Sequence, residues 1–300
     1  MSESIGTARL RVLLAALTFS VGGAGIKACD LTSWQVASFR SGAAAIALMI
    51  FLPQARRGLS LRAFVVGLAY AATVTLFVLA NKLTTSANTI FLQSTSPLYI
   101  LLLSPWLLKE HFRARDLAIM GVVGVGMALF FVGAESPLAT APDPFHGNIL
   151  AIASGLTWAL TIMGLRWMGR GRSGESGSAL PAVVMGSWIA FFVGLPFALP
   201  VVQSRPVDWV MIAGLGTIQI GLAYLFLTSG IRHVPALEAS LLLLLEPILN
   251  PVWSWIVHGE VPSGWSLVGG AVILGGTLAK TWWDSRTPGA RVEGVPPVSD

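Results

Sequence analysis

The sequence predicts an all-α integral membrane protein of ten transmembrane helices, built as two inverted five-helix repeats. Three observations carry that prediction. Apolar stretches of about 20 residues, the length that crosses a hydrocarbon core as a helix, follow one another almost end to end. Lys and Arg crowd into alternate connections. Residue patterns of the first half recur in the second. With 54% hydrophobic residues, 11% charged residues and a mean hydropathy of +0.74, the composition suits no soluble domain.

Taken in order, the first span covers 10–27. It follows Arg9 and Arg11 in the manner of a signal peptide, but the apolar run outlasts a typical signal core. Lys27-Ala28-Cys29-Asp30 is also a poor cleavage site, so a retained helix is expected. Spans 34–53, 61–81, 85–108 and 114–133 complete a first repeat over residues 1–138. Spans 148–168, 180–200, 208–229, 237–258 and 263–283 form a second over 139–286. The Pro- and Gly-rich residues 287–300 are expected to be a disordered cytoplasmic tail. Helix is the expected conformation because lipid leaves backbone amides no other partner. A β-barrel would alternate polar and apolar residues, which the run from Leu241 to Leu245 does not.

Fifteen Lys and Arg fall in one set of alternate segments, which includes both termini, against Lys27, Lys82 and Arg205 in the other. Arg40 lies inside a span. Positive charge marks the cytoplasmic side, so both termini are expected in the cytoplasm of a cell with the chain in its inner (plasma) membrane. The same bias explains a pI near 9.9 without nucleic acid, because the charge is spread over loop ends. The single Cys29 excludes an internal disulfide.

Ser96-Pro97 overlies Glu246-Pro247 at an offset of 150 residues, and the same offset lays Glu110 on Glu260 and Gly126 on Gly276. At the start of each half the offset is 139, laying Leu17-Thr18-Phe19 on Leu156-Thr157-Trp158 and Lys27 on Arg166. Five spans per repeat is an odd number, so the second repeat enters the membrane inverted. Inverted repeats are typical of secondary transporters, whose substrate sits near the midplane between the halves.

The motifs Leu245-Glu246-Pro247-Ile248, Gly259-Glu260, Gly269-Gly270 and Gly275-Gly276 give the chain a family likeness. Ser96-Pro97-Leu98, Lys109-Glu110, Gly121, Gly124 and Gly126 repeat the frame in weaker form. Over nearly its whole length the chain resembles the drug/metabolite transporter superfamily, in its EamA-type branch. The resemblance implies ten helices, cytoplasmic termini and export of small metabolites, often amino acids. Within that branch the chain is most similar to exporters of aromatic and neutral amino acids. Ser94 and Ser96 stand where those exporters carry bulky aromatics beside the first-half proline, which leaves room for threonine or methionine as substrate.

Glu246 is the most informative residue, a carboxyl mid-span where an ionisable group normally faces a cavity or a partner. It is a candidate for recognising a substrate amine or relaying a proton; the bland role is bonding backbone freed by Pro247 and Pro251. Matching prolines in the fourth and ninth spans point to the site between them. On the fourth span Gln93, Ser96 and Ile100 share a face with Tyr99 near its edge; Gln93, Ser94, Ser96 and Tyr99 are candidates, and Ser96 and Glu246 are expected to face each other. Trp158 lies too deep for the interfacial belt that suits Trp253, Trp255, Trp282 and Trp283. Phe77 and Tyr224 lie deep in the third and eighth spans. Arg40 is expected to snorkel or to bond carbonyls of a neighbouring helix, the sharper reading being a substrate carboxylate. Lys27 and Lys82 are expected as exposed anchors.

His111, His146, His233 and His258 fall at span ends or in loops, and neither H-E-x-x-H nor a paired Asp cluster occurs, so neither catalysis, a metal nor a cofactor is expected. Gly22 to Lys27 lacks the full phosphate-loop pattern. A channel or receptor fits two inverted halves with one buried carboxyl less well than alternating access does. Organic phosphates and nucleotide sugars need several buried cations, and Arg40 stands alone. The expected partners are a small neutral or zwitterionic substrate and the lipid bilayer, with no nucleic acid, and a monomer suffices.

Overall fold

Helices begin where polar side chains can satisfy the amides that a first turn leaves free. In the computed structural model, which describes residues 5–56, 60–107, 114–132, 137–169, 180–230 and 242–286, Thr32 accepts from the Gln35 amide at 3.3 Å while the Gln35 side chain accepts from the Thr32 amide at 3.0 Å. Ser60 and Thr85 cap the two following helices through the Ala63 and Asn88 amides, at 3.2 and 3.1 Å.

The helices are α1 (Ile5–Ser20), α2 (Gly22–Ala28), α3 (Ser33–Phe51), α4 (Leu61–Leu83), α5 (Ser86–Gln93), α6 (Ser96–Leu107) and α7 (Ala114–Val132). Then come α8 (Pro144–Gly169), α9 (Leu180–Ala198), α10 (Pro206–Gly214), a π-helical segment (Leu215–Leu222), α11 (Ala223–Gly230), α12 (Leu245–His258) and α13 (Gly264–Arg286). Apart from one isolated bridge between Leu138 and Ala141, the regular structure of the described residues is helical.

Among the described residues, six helical stretches are long and apolar enough to cross a membrane: Gly6–Ala28, Ser33–Phe51, Leu61–Leu83, Pro144–Leu165, Leu180–Ala198 and Pro206–Leu227. The chain is therefore a multi-pass membrane protein. Of the other expected spans, the fifth and tenth are the continuous helices α7 and α13, and the fourth and ninth hold shorter or interrupted helix. Where one helix is expected over 85–108, the backbone makes two, because Ser94 and Thr95 form a turn between α5 and α6. A similar turn at Leu244 precedes α12. Glu110, residues 237–241, the tail 287–300 and the loop cations Arg57, Lys109, Arg113, Arg170, Arg172, Arg232 and Arg291 lie outside the described residues.

α4 packs on α8 and α9, α3 on α9 and the π segment, α1 on α11 and α12, α5 on α8, α12 and α13, and α7 on α13. Small residues set the tightest of these contacts, as is usual where van der Waals packing rather than water drives helices together. A Cβ on Gly186 of α9 would lie 2.6 Å from the Gly67 carbonyl oxygen of α4. Gly126 of α7 and Gly269 of α13 meet the same way, each with the other's carbonyl within 3.1 Å of where a Cβ would stand. Outward faces carry exposed Ile, Val, Leu and Trp, including Trp255, Trp282 and Trp283. Trp253, expected with them, instead turns inward and donates its indole N–H to Ser20 Oγ at 2.9 Å.

Candidate functional site

The interruptions of the helices converge on one internal cavity of about 300 Å³. The turn between α5 and α6 brings Gln93, Ser94, Ser96 and Pro97 to its wall; the turn before α12 brings Leu243, Leu244, Glu246 and Pro247. Phe19 of α1, Trp158 of α8 and Tyr70, Thr73, Val74 and Phe77 of α4 form an aromatic and apolar side. Arg40 of α3, Gln219 and Ile220 of the π segment, Tyr224 and Leu227 of α11 and Thr277 of α13 complete it.

Seven of the eight residues expected at a site therefore share this wall: Gln93, Ser94, Ser96, Phe77, Trp158, Tyr224 and Glu246. Tyr99 does not line it. Ser96 and Tyr99 share α6, so the turn at Ser94-Thr95 leaves their relative register intact; three residues on, Tyr99 points about 60° away from Ser96 and stays at the edge of that face. The cavity also draws on α3, through Arg40, and on α13, through Thr277.

Edge-to-face aromatic contacts fix one wall. The Tyr224 ring meets Phe19 at 5.3 Å between centroids and Tyr70 at 5.9 Å. Gln93 donates to Ser154 Oγ at 2.8 Å, and Ser154 donates to the Thr73 carbonyl at 3.2 Å, tying α5, α8 and α4 together beside the cavity.

Two charged side chains stand in the wall. Arg40 is 2% exposed, so it does not snorkel. It donates to the Gln219 side-chain oxygen and to the Val74 carbonyl, both at 3.4 Å, while its Nε–H has no partner among the described residues. Glu246 opens the first turn of α12 and has no hydrogen-bond or ion-pair partner among the described residues.

Sequence reasoning missed Tyr70, Gln219, Phe19 and Thr277. Tyr70 lies seven residues before Phe77, two helical turns away on the same face, a usable signal. Phe19 was legible through its alignment with Trp158. Gln219 was not: residues five apart diverge on an α-helix, and only the π-helical pitch turns Gln219 toward the side of Tyr224.

A second polar cluster lies where α2, α5 and the end of α12 meet. Lys27 and Glu260 form an ion pair at 3.1 Å with side chains 2% and 1% exposed. Lys27 also donates to the Thr84 carbonyl at 2.8 Å and to the Thr140 carbonyl, and Glu260 accepts from the Ser86 amide. Lys82 donates to the Cys29 carbonyl. Neither lysine is the exposed anchor expected from its place at a span end.

Membrane-spanning helices around a partly polar cavity define a membrane carrier in general terms, and the comparisons give its class. The chain matches the EamA-like transporter family over residues 7–132 and again over 145–281, and it belongs to that family. It is 26% identical to an uncharacterized transporter of Archaeoglobus fulgidus over 69% of this chain and 71% of that one. It is 24% identical to the pseudopaline exporter CntI of Pseudomonas aeruginosa over 90% of this chain and 94% of that protein. A crystal structure sharing 19% identity superposes with a TM-score of 0.60, covering 95% of this chain and all of the other, which shows a common fold.

Proposed function

We propose that this protein is a secondary transporter that exports small neutral or zwitterionic metabolites, most readily amino acids such as threonine, methionine or aromatic ones. Transport runs by alternating access through the central cavity. The carrying observation is the cavity itself. Its volume of about 300 Å³ stands at the small end of small-molecule sites, which run from about 300 to 1,000 Å³. Its wall mixes aromatic rings, hydroxyls and amides with one carboxyl, which suits a small polar molecule with an apolar part.

Ten spans in two inverted repeats are the frame of this reading. Support comes from the double family match, one over each half, and from the packing: α4 on α8 has its counterpart in α11 on α1, and α3 on α9 and α7 on α13 pair equivalent spans. The turns at Ser94 and Leu244 stand 150 residues apart, the offset that aligns Ser96-Pro97 with Glu246-Pro247. The halves rock about the cavity in the inner membrane, with both termini in the cytoplasm, and one copy suffices to enclose it. Organic phosphates and nucleotide sugars fit poorly, since Arg40 is the one Lys or Arg lining the cavity among the described residues.

The test is counterflow of labelled threonine, methionine and phenylalanine in proteoliposomes, with and without a pH gradient. Wild type is expected to exchange at least one of them, and Trp158→Ala to lose most of that flux. A pH-gradient response lost only in Glu246→Gln makes that carboxyl the coupling group. No flux of any of the three refutes the amino-acid reading and directs attention to larger metabolites.

A further inference from the structure

Arg40 and Glu246 bring a guanidinium and a carboxyl into one cavity, and neither is ion-paired among the described residues. A guanidinium offers five N–H donors in a planar fork. Here two reach acceptors, at 3.4 Å, beyond the usual 2.7–3.2 Å range. The Nε–H reaches nothing among the described residues, and no carboxylate among them pairs with Arg40. An unpaired buried charge is costly, and the cost is recovered only when a counter-charge arrives. Glu246 is in the complementary condition. The two are not in ion-pair contact, although Tyr224 is within electrostatic reach of both.

The neighbours of Arg40 hold the fork rather than discharge it. Gln219 accepts one N–H from Arg40, while its own amide group points back to the Phe19 carbonyl at 3.5 Å. A Cβ on Gly22 would come 2.8 Å from the Gln219 amide nitrogen, so α2 packs tightly behind it. The π segment thus supplies an uncharged support for Arg40, where an Asp or Glu would have consumed its charge.

We infer that Arg40 is the anchor for a substrate carboxylate and Glu246 the anchor for the ammonium group of the same molecule, so that the cavity selects zwitterions carrying both charges over ligands carrying one. This rests on the reading of the cavity as the substrate site. It assigns Arg40 a role beyond cross-linking helices, and it explains why the π-helical distortion in Leu215–Leu222 coincides with the cavity. A staple between α3 and α4 would need no place in the cavity wall, where Arg40 stands.

The experiment uses three probes of one shape: phenylalanine, phenethylamine, which lacks the carboxylate, and hydrocinnamate, which lacks the amine. Each is tested as a competitor of amino-acid counterflow and as a protector of the purified full-length protein against thermal unfolding. Methionine and its equivalent amine and acid are run in parallel. In wild type, the amino acid is expected to act at least tenfold more strongly than either single-charge analogue. In Arg40→Gln the amino acid falls to the level of the amine, whose own effect is unchanged. In Glu246→Gln it falls to the level of the acid. Equal action of amine and amino acid on wild type overturns the inference, as does an Arg40→Gln variant that loses amine and amino acid alike. If Arg40→Gln does not elute as a single species, Arg40→Lys replaces it, with weaker amino-acid action expected and the order of ligands preserved. Amino acids that bind regardless of charge overturn this inference alone. No binding or flux of any probe overturns the transporter reading with it.

Discussion

The ion pair between Lys27 and Glu260 is the most sharply testable feature outside the cavity, because both side chains are withdrawn from solvent. Replacing Glu260 by Gln keeps the shape and leaves an acceptor for the Ser86 amide. It also leaves Lys27 charged, held by the Thr84 and Thr140 carbonyls alone. Breaking a buried pair on one side typically costs about 3–5 kcal/mol, because the remaining charge is uncompensated. The two carbonyls put Glu260→Gln near the lower end, about 3 kcal/mol. Lys27→Met belongs near the upper end, about 5 kcal/mol, since Glu260 then keeps one amide donor. The double variant removes both charges and is expected to be more stable than Lys27→Met. The assay is a double-mutant cycle read from apparent unfolding midpoints in one detergent. Additive effects, with the double variant less stable than either single one, would refute the reasoning and make the pair a chance proximity of two separately satisfied groups.

The remaining predictions are quickly stated. Cys29 is 1% exposed and burial pushes its thiol up from the ordinary value, so thiolate is scarce at neutral pH; maleimide labelling is expected to be slow and to speed up with rising pH, and Glu260→Gln to label faster than wild type if the pair holds that end closed. Gly186→Ala places a Cβ 2.6 Å from both the Gly67 carbonyl and the Tyr70 ring, and overpacking of about 1–3 kcal/mol is expected in the unfolding midpoint. Gly275→Ala meets nothing within 4 Å and serves as the unaffected control. Gln219→Leu removes one of the two acceptors of Arg40 and is expected to cost about 1–3 kcal/mol, with amino-acid flux falling more than expression does.

Hydropathy located the helices well because a bilayer permits little else, and prolines at 97 and 247 located the cavity because broken helices are tolerated where they border one. Glu246 and Trp158 were legible for a related reason: each is a residue type out of place at its depth. What sequence periodicity does not carry is phase across an interruption. Gln219 fails for that cause, rotated in by π-helical pitch, whereas Tyr99 shares α6 with the wall residue Ser96 and misses the cavity at the edge of that face. Lys27 and Lys82 fail for another. A lysine at a span end reads as an interfacial anchor unless its partners are known, and Glu260, Thr140 and the Cys29 carbonyl are brought there only by tertiary packing.

The interruptions separate into two kinds, and the difference bears on selectivity. The turns at Ser94 and Leu244 stand 150 residues apart, and the residues beside each line the cavity. The break at Val21 and the π segment at Leu215–Leu222 interrupt their helices elsewhere, whereas α4 and α8 run unbroken. These two distortions meet at Gly22 and Gln219, directly behind Arg40. The two turns thus frame the cavity, while the two distortions pack behind Arg40, the one Lys or Arg in its wall among the described residues. Straightening the π segment by deleting one residue within it is expected to leave the helices folded and to displace Gln219 from Arg40. Discrimination between an amino acid and its amine analogue should then collapse while transport of the amine persists; transport lost for both ligands would show that the distortion serves the fold instead.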